Sequence, residues 1–150
     1  MRKFISLAVV ALLASSMSAQ TIANMKDLNA EKKSAAINLK LTGTLTTTKN
    51  SDFRQLRDLC WQLRNLDLSE ATCPVLPKNA FHSRHHLQHI ILPNQLQEIG
   101  TQAFFACDNL QEVVIPKSVT KVGAAAFSGC KSLKNITIEG TPEIGEFSFA

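Results

Sequence analysis

All four histidines of this chain fall within one eight-residue stretch, and imidazole nitrogens are common metal ligands. They are His82, His85, His86 and His89. Mostly polar residues of other types occupy the matching positions of two related stretches further along the chain, which favours a solvated turn. Because no carboxylate lies near these histidines in the sequence, no metal site is predicted here.

The four cysteines are spaced like residues of a protein core. Cys60, Cys107 and Cys130 each lie three residues before a leucine, and Arg84 interrupts this series. The absence of a CxxC pair argues against zinc. In an exported chain Cys107 and Cys130 could form a disulfide, but side chains of stacked repeats point in parallel. Buried free thiols that pack as small apolar residues are therefore favoured.

No motif for catalysis is present. The sequence contains no G-x-S-x-G nucleophile elbow, no H-E-x-x-H and no P-loop. The carboxylates of Asp67, Glu98, Glu112 and Glu143 belong to different repeats. We therefore predict that the chain is not an enzyme and needs no cofactor. An exported metal-dependent enzyme remains an alternative only if the histidines converge in space.

A 23-residue repeat governs the second half of the chain, and internal repeats decide the fold. Stretches 92–104 and 115–127 superpose without a gap, and a last copy reaches Phe149 with one residue deleted. A unit of this length that is rich in Leu, Ile and Phe must stack on its neighbours to bury its apolar side. The sequence therefore predicts a solenoid. The columns at this spacing are Ala80, Ala103 and Ala126; Phe81, Phe104 and Phe127; Leu87, Leu110 and Leu133; and Ile90, Val113 and Ile136.

Each repeat carries one short strand and one glycine at a fixed position. The alternation of Val113 and Ile115 with Glu112 and Val114 predicts one inward and one outward side, by the period of two. Glycines 100, 123 and 145 each precede a phenylalanine by four residues. This spacing indicates a turn that needs either positive φ or close backbone approach.

The N-terminus resembles an export signal. Arg2 and Lys3 precede the apolar run 4–13, and small residues follow up to Ala19. This run is about half of the ~20 residues that span a bilayer, so we expect cleavage near Ala19 and no membrane insertion afterwards. The predicted organisation is a signal peptide (1–19), a mobile or weakly helical leader (20–35), an N-terminal cap (36–63) and the solenoid (64–150).

The predicted cap combines a strand with a helix. Leu39 and Leu41 indicate the strand, and Ser51 or Asp52 can cap the helix. Phe53, Leu56, Leu59, Cys60 and Leu63 share one helical face. Trp61, the single tryptophan, is predicted to pack between cap and first coil rather than to stand half exposed.

Charge argues against a nucleic-acid partner. The formal net charge is +4, and two of the sixteen basic residues belong to the predicted signal. The remaining Lys and Arg residues are scattered among acids, whereas a nucleic-acid site is a concentrated basic stripe.

The repeat resembles the BspA-like leucine-rich repeats of bacterial secreted and surface proteins. The resemblance rests on Ala-Phe followed by Cys107 and Leu110, on Val-x-Ile-Pro at 113–116, and on Val-x-x-Val-Gly at 119–123. It covers residues 63–149, and Arg84 and Glu139 depart from it. It implies a β-rich solenoid with short parallel strands and an α/β N-terminal cap. Family members generally carry more repeats, so a short member or one truncated at its C-terminus is expected.

The resemblance also implies a secreted or cell-surface protein that mediates adhesion. The expected partner is an extracellular protein or glycan, such as a host matrix protein, and the oligomeric state is left open. Binding by repeat proteins uses the outward strand positions. A structural spacer, or a fragment of a larger surface protein, is the alternative. The predicted binding residues are Asp67, His89, Ile91, Glu112, Val114, Asn135 and Thr137.

Overall fold

The computed structural model describes residues 21–23, 25, 36–47 and 51–150. The predicted signal peptide, residues 1–19, and most of the predicted leader lie outside the described residues. In the described part, ten β-strands and one α-helix form a β-solenoid of about five turns, with repeats of about 23 residues. The fold class predicted from the sequence is confirmed.

Six parallel strands form the first sheet, in the order β1-β2-β3-β5-β7-β9. Its register reproduces the repeat, since Val113 pairs with Ile136 and His89 pairs with Glu112, each pair 23 residues apart. Within the predicted leader, β1 is an edge strand rather than a helical or irregular segment. The strands are β1 (Thr21–Ala23), β2 (Asn38–Thr44), β3 (Asn65–Thr72), β5 (His89–Ile91), β7 (Glu112–Ile115) and β9 (Asn135–Ile138).

Four shorter parallel strands form a second sheet on another side of the coils, in the order β10-β8-β6-β4. Each of these strands has two residues, and the second one points toward the core. The second residues of three of the strands, Leu76, Ile99 and Val122, are buried. The strands are β4 (Val75–Leu76), β6 (Glu98–Ile99), β8 (Lys121–Val122) and β10 (Glu143–Ile144). Each coil therefore presents two strand faces to its surroundings.

A column of stacked phenylalanine rings runs through the core along the solenoid axis. The ring centroids of Phe81 and Phe104 are 5.3 Å apart, and those of Phe104 and Phe127 are 5.0 Å apart. Phe149 continues the stack at 5.5 Å from Phe127. At the other end, the Phe53 ring meets Phe81 edge to face at 5.9 Å. Because aromatic contacts add to the burial of apolar area, this column holds successive coils in register.

The repeated glycines are required by the close approach of neighbouring coils. A Cβ atom on Gly123 would lie 2.4 Å from the backbone nitrogen of Thr101, and one on Gly100 would lie 2.6 Å from the Leu76 carbonyl oxygen. Neither glycine has positive φ. Left-handed backbone occurs instead at other fixed positions, for example at Gln102 and Ala125. Of the two roles predicted for these glycines, close approach is the one observed.

The helix α1 (Asp52–Leu59) closes the N-terminal end of the aromatic column. It begins at Ser51, whose hydroxyl accepts a hydrogen bond from the Arg54 amide at 3.2 Å, as predicted for an N-cap. Phe53 and Leu56 are buried. Leu59 is 40% exposed, which contradicts its predicted place on the buried face. Leu59 lies about 120° around the helix axis from Phe53, which turns its side chain away from the buried face.

The last coil has no further coil on its outer side among the described residues, and its apolar side chains are accordingly exposed. Inward positions of β9 and β10 that are buried in earlier coils are here 38–43% exposed, at Ile136, Ile138 and Ile144. Phe147 and Phe149 are 74% and 39% exposed. Within the described ranges, no helix has both the length and the apolar character needed to cross a bilayer.

Candidate functional site

The outward positions of the first sheet line up in two columns, as the repeat spacing predicts. The pairing of Asn65 with His89, of His89 with Glu112 and of Glu112 with Asn135 defines the first column. The pairing of Asp67 with Ile91 and of Val114 with Thr137 defines the second. All seven residues predicted for binding therefore lie on one strand face. Asn38 and Lys40 of β2 extend the two columns, since they pair with Asn65 and Asp67.

At the N-terminal side of this strand face, the charged side chains form ion pairs with one another. The Lys40 ammonium lies 2.6 Å from Glu70 Oε1 and 3.7 Å from Asp67 Oδ2. The hydrogen bond to Glu70 raises the pKa of Lys40 above its usual value. Asp67 is only 7% exposed and accepts a hydrogen bond from the Ser69 amide at 2.8 Å. Its carboxylate is thus committed to contacts within the protein.

Two buried polar side chains in the first column retain unused hydrogen-bonding capacity. Asn65 donates through Nδ2 to Asn38 Oδ1 at 2.5 Å, but its own Oδ1 has no hydrogen-bond partner within the described part of the chain. The same holds for Nδ1 of His89, which lies 3.7 Å from Glu112 Oε1. Both residues are less than 10% exposed. Unsatisfied buried groups are costly, so they mark positions that require an explanation.

The strand face becomes more accessible toward the C-terminal coils. Ile91, Glu112 and Val114 are partly exposed, and Asn135 and Thr137 are exposed. The accessible part thus combines two β-branched apolar side chains with a carboxylate, an amide and a hydroxyl. This mixture can contact apolar and hydrogen-bonding groups of a partner at the same time.

The four histidines do not converge, because each contacts a different residue. His82 stacks on Phe105 at 5.1 Å, and His86 meets the Trp61 ring edge to face at 6.5 Å. His85 lies 3.0 Å from an oxygen of Asp108. Among the described residues, no group of three or more His, Cys, Asp and Glu side chains is placed to hold a metal ion.

The cysteine column serves to bond neighbouring coils. The Cys107 thiol donates to the Phe81 carbonyl at 3.0 Å, and the Cys130 thiol donates to the Phe104 carbonyl at 3.1 Å. Arg84 takes the place of a cysteine in this column, and its guanidinium donates a hydrogen bond to the carbonyl of Arg57 in helix α1. Cys107 and Cys130 form no disulfide, and both remain thiols.

Burial keeps these thiols protonated. It raises the pKa of Cys107 to about 12 and that of Cys130 to about 11. The pKa of Cys73 is likewise raised to about 11 by burial. Since the thiolate is the nucleophilic form, these groups are unsuited to covalent catalysis.

The prediction that Trp61 packs between the cap and the first coil is wrong, because this residue is 53% exposed. Trp61 lies four residues before the start of β3, just as His85, Asp108 and Lys131 lie four residues before β5, β7 and β9. We call these four residues the turn ridge. The repeat alignment could have revealed the exposure, since the other three members of this column are polar.

Comparison with known proteins agrees with the fold and the repeat. Residues 74–150 match the BspA type leucine rich repeat region, which is just over half of the chain. No curated protein is a significant match to the sequence. A crystal structure of a leucine rich cell surface protein from Faecalibacterium prausnitzii is 26% identical, with a TM-score of 0.52. That match covers 71% of this chain and 26% of the relative.

Two further crystal structures share the fold at lower identity. A leucine-rich repeat protein from Bacteroides ovatus is 19% identical with a TM-score of 0.56. The match covers 87% of this chain and 35% of the Bacteroides protein. The leucine-rich repeat protein of T. pallidum is 20% identical with a TM-score of 0.54. The match covers 84% of this chain and 66% of the T. pallidum protein. The chain thus spans between about a quarter and two thirds of the length of these relatives. From the matched repeat and the solenoid together, the chain belongs to the BspA-type leucine-rich repeat family.

Proposed function

We propose that this chain is a non-catalytic, secreted or cell-surface protein that binds an extracellular protein through the outward face of its first sheet. The observation that carries the proposal is the alignment of the predicted binding residues in two columns on this face. A solenoid repeats the same few outward positions from coil to coil, which provides an extended surface for recognition.

Two observations support an extracellular site of action. The N-terminal sequence resembles an export signal. The Faecalibacterium relative is described as a cell surface protein. A matrix or surface protein is therefore the partner class that this location favours.

The composition of the accessible face suits a protein partner. Ile91 and Val114 lie on outward positions of adjacent strands and are partly exposed, with Glu112 and Thr137 nearby on the same face. An apolar centre with a polar rim is the usual arrangement of protein interfaces. We expect the apolar pair to contribute most of the affinity and the polar residues to fix the orientation of the partner.

The test is binding of purified residues 20–150 to a panel of immobilised matrix proteins. Val114→Asp places a charge in the centre of the face, and Val75→Asp is its matched control, because Val75 is a partly exposed strand residue of the second sheet. Saturable binding that Val114→Asp weakens at least tenfold, and Val75→Asp leaves unchanged, is expected. Equal losses in both folded variants would exclude the first sheet as the binding face. A panel that yields no binding would contradict the proposed function.

A second candidate function, a structural unit in a larger surface assembly, is favoured by the exposed apolar side chains of the last coil. Apolar patches of this kind mark association surfaces. Light scattering distinguishes the two candidates, since a structural unit of this type would associate as its concentration rises. A mass that stays monomeric over a hundredfold range of concentration would count against it.

A further inference from the structure

The exposed tryptophan of the turn ridge is a second candidate binding surface, separate from the strand face. The Trp61 side chain is 53% exposed, although tryptophan is among the more buried residues on average. In the other three coils this column holds side chains that water solvates well, at His85, Asp108 and Lys131. An aromatic side chain of this size at a solvated position is available to a partner.

The Trp61 ring contacts an imidazole ring. The ring of His86, from the next coil, lies 6.5 Å away with an angle of 65° between the planes. The two rings thus form an open corner with one large aromatic face. A corner of this shape can hold a flat group that lies on the indole and meets the imidazole at its edge.

Beyond this corner, the ridge carries hydrogen-bonding groups that are already held in place. Asp108 is bound by His85 Nδ1 at 3.0 Å on one side and by Lys131 Nζ at 3.4 Å on the other. The side-chain amide of Asn109 donates to the His85 carbonyl. Neighbouring coils are separated by about 4.8 Å. His85 therefore lies one coil from the indole, Asp108 and Asn109 lie two coils from it, and Lys131 lies three coils from it. An aromatic face is therefore followed by an ordered row of polar groups.

We propose that the turn ridge binds a neutral sugar of an extracellular glycan, with a pyranose ring stacked on Trp61. A pyranose has an apolar C–H face that suits an aromatic ring and a rim of hydroxyl groups that both donate and accept hydrogen bonds. Carboxylate, amide and imidazole groups match those hydroxyls. Asp108 and Asn109 would contact the next sugar along the ridge. A protein hot spot would instead be ringed by further side chains that exclude water.

The proposed glycan site and the proposed protein-binding strand face share no residue. The strand-face proposal depends on Ile91 and Val114, and the glycan proposal depends on Trp61 and Asp108. Failure of one proposal therefore leaves the other standing. Val114→Asp is expected to retain sugar binding, and Trp61→Ala is expected to retain protein binding.

The test uses Trp61 as its own reporter, since it is the single tryptophan of the chain. Tetrasaccharides derived from cellulose, chitin and mannan serve as neutral probes, a heparin tetrasaccharide as the anionic comparison and sorbitol as the polyol control. At least one neutral probe should change the Trp61 emission saturably, whereas sorbitol should not. Asp108→Asn keeps the reporter and should weaken this binding at least tenfold.

Calorimetry with the same probes includes Trp61→Ala, which removes the reporter. The heat of sugar binding should disappear in the Trp61→Ala variant. Phe147→Ala is the control and should bind the sugar normally, because Phe147 is a strongly exposed aromatic residue outside the turn ridge. The proposal is overturned by an unchanged emission with every neutral probe at about 10 mM, a concentration that reveals even weak complexes. It is equally overturned if heparin alone binds, or if Trp61→Ala abolishes binding of a matrix protein while no sugar binds.

Discussion

At the scale of single residues, the column of Cys60, Arg84, Cys107 and Cys130 shows how one position can serve a repeat protein with different chemistry. The thiols of Cys107 and Cys130 and the guanidinium of Arg84 each donate to a carbonyl of the preceding coil. The column therefore selects a hydrogen-bond donor that can be buried. Arginine satisfies this requirement with a charged and longer side chain, which leaves its buried Nε without a hydrogen-bond partner in the described structure.

The buried thiol of Cys107 predicts a loss of stability at alkaline pH. Its pKa is about 12 in the folded protein and 9.0 in the unfolded reference. Above pH 9 the unfolded chain therefore loses a proton that the folded chain keeps, and stability falls by up to about 1.4 kcal/mol per pH unit. Urea unfolding at pH 8, 9 and 10 measures the slope. Cys107→Ser is the control and should reduce the slope without removing it, because the buried Cys73 and Cys130 thiols also have raised pKa values. An unchanged slope in this variant would assign the effect to other groups.

The stacked Phe104 ring predicts a large and specific loss of stability. Phe104 is fully buried between two further rings, so Phe104→Ala should lower the free energy of unfolding by about 3–5 kcal/mol. The adjacent Phe105 is partly exposed and stacks on His82 outside the phenylalanine column, which makes Phe105→Ala the matched control. Chemical denaturation measures both variants. Similar losses in the two would mean that the aromatic column is not the principal contact between coils.

At the scale of elements, the sequence predicted what periodicity determines and failed where a period ends. The strand register follows from the 23-residue spacing, as the pairing of Val113 with Ile136 shows. Leu59 was misplaced because it lies about 120° around the helix axis from Phe53. Trp61 was misplaced because it follows the end of α1, where helical spacing does not predict orientation. The β1 strand was missed for a related reason, since its pairing with β2 depends on contacts that no local pattern encodes. The columns of the outward strand face were predictable, whereas the burial of Asp67 and His89 depends on partners in neighbouring strands.

The spacing between coils predicts that Gly123 tolerates no side chain. A Cβ atom there would meet backbone atoms of Thr101, which cannot move without shifting the preceding coil. Gly123→Ala should therefore cost about 1–3 kcal/mol, as overpacking of a core does. The control is Ala124→Ser at the exposed neighbouring position. Thermal unfolding measures both variants, and a Gly123→Ala variant as stable as its control would show that the coils separate easily.

At the scale of the whole molecule, the two ends of the described solenoid differ in how well their apolar side chains are covered. The helix α1 covers the N-terminal end through Phe53, whereas Ile136, Ile138 and Phe149 of the last coil are partly exposed. In a repeat array each coil is stabilised by the coils next to it. The described coils should therefore differ in stability, even though their sequences are closely similar.

Hydrogen exchange is expected to follow this asymmetry. The amides of β9 and β10 should exchange faster than those of β5, β6, β7 and β8, because the last coil has one neighbouring coil and exposed apolar residues. Exchange measured by mass spectrometry on peptides from each coil tests the order. Equal protection along the solenoid would instead indicate that a second copy or another partner covers the last coil.

The aromatic column also determines how the protein would respond to mechanical force. Each coil packs against the coils before and after it, so tension applied along the solenoid axis loads every contact between coils and the weakest contact separates first. A coil that detaches releases about 80 Å of chain, since each of its roughly 23 residues extends by about 3.5 Å. We expect a stretched molecule to lengthen in steps of this size. For a protein held between a cell and a surface, such steps would absorb a sudden pull before the tether breaks.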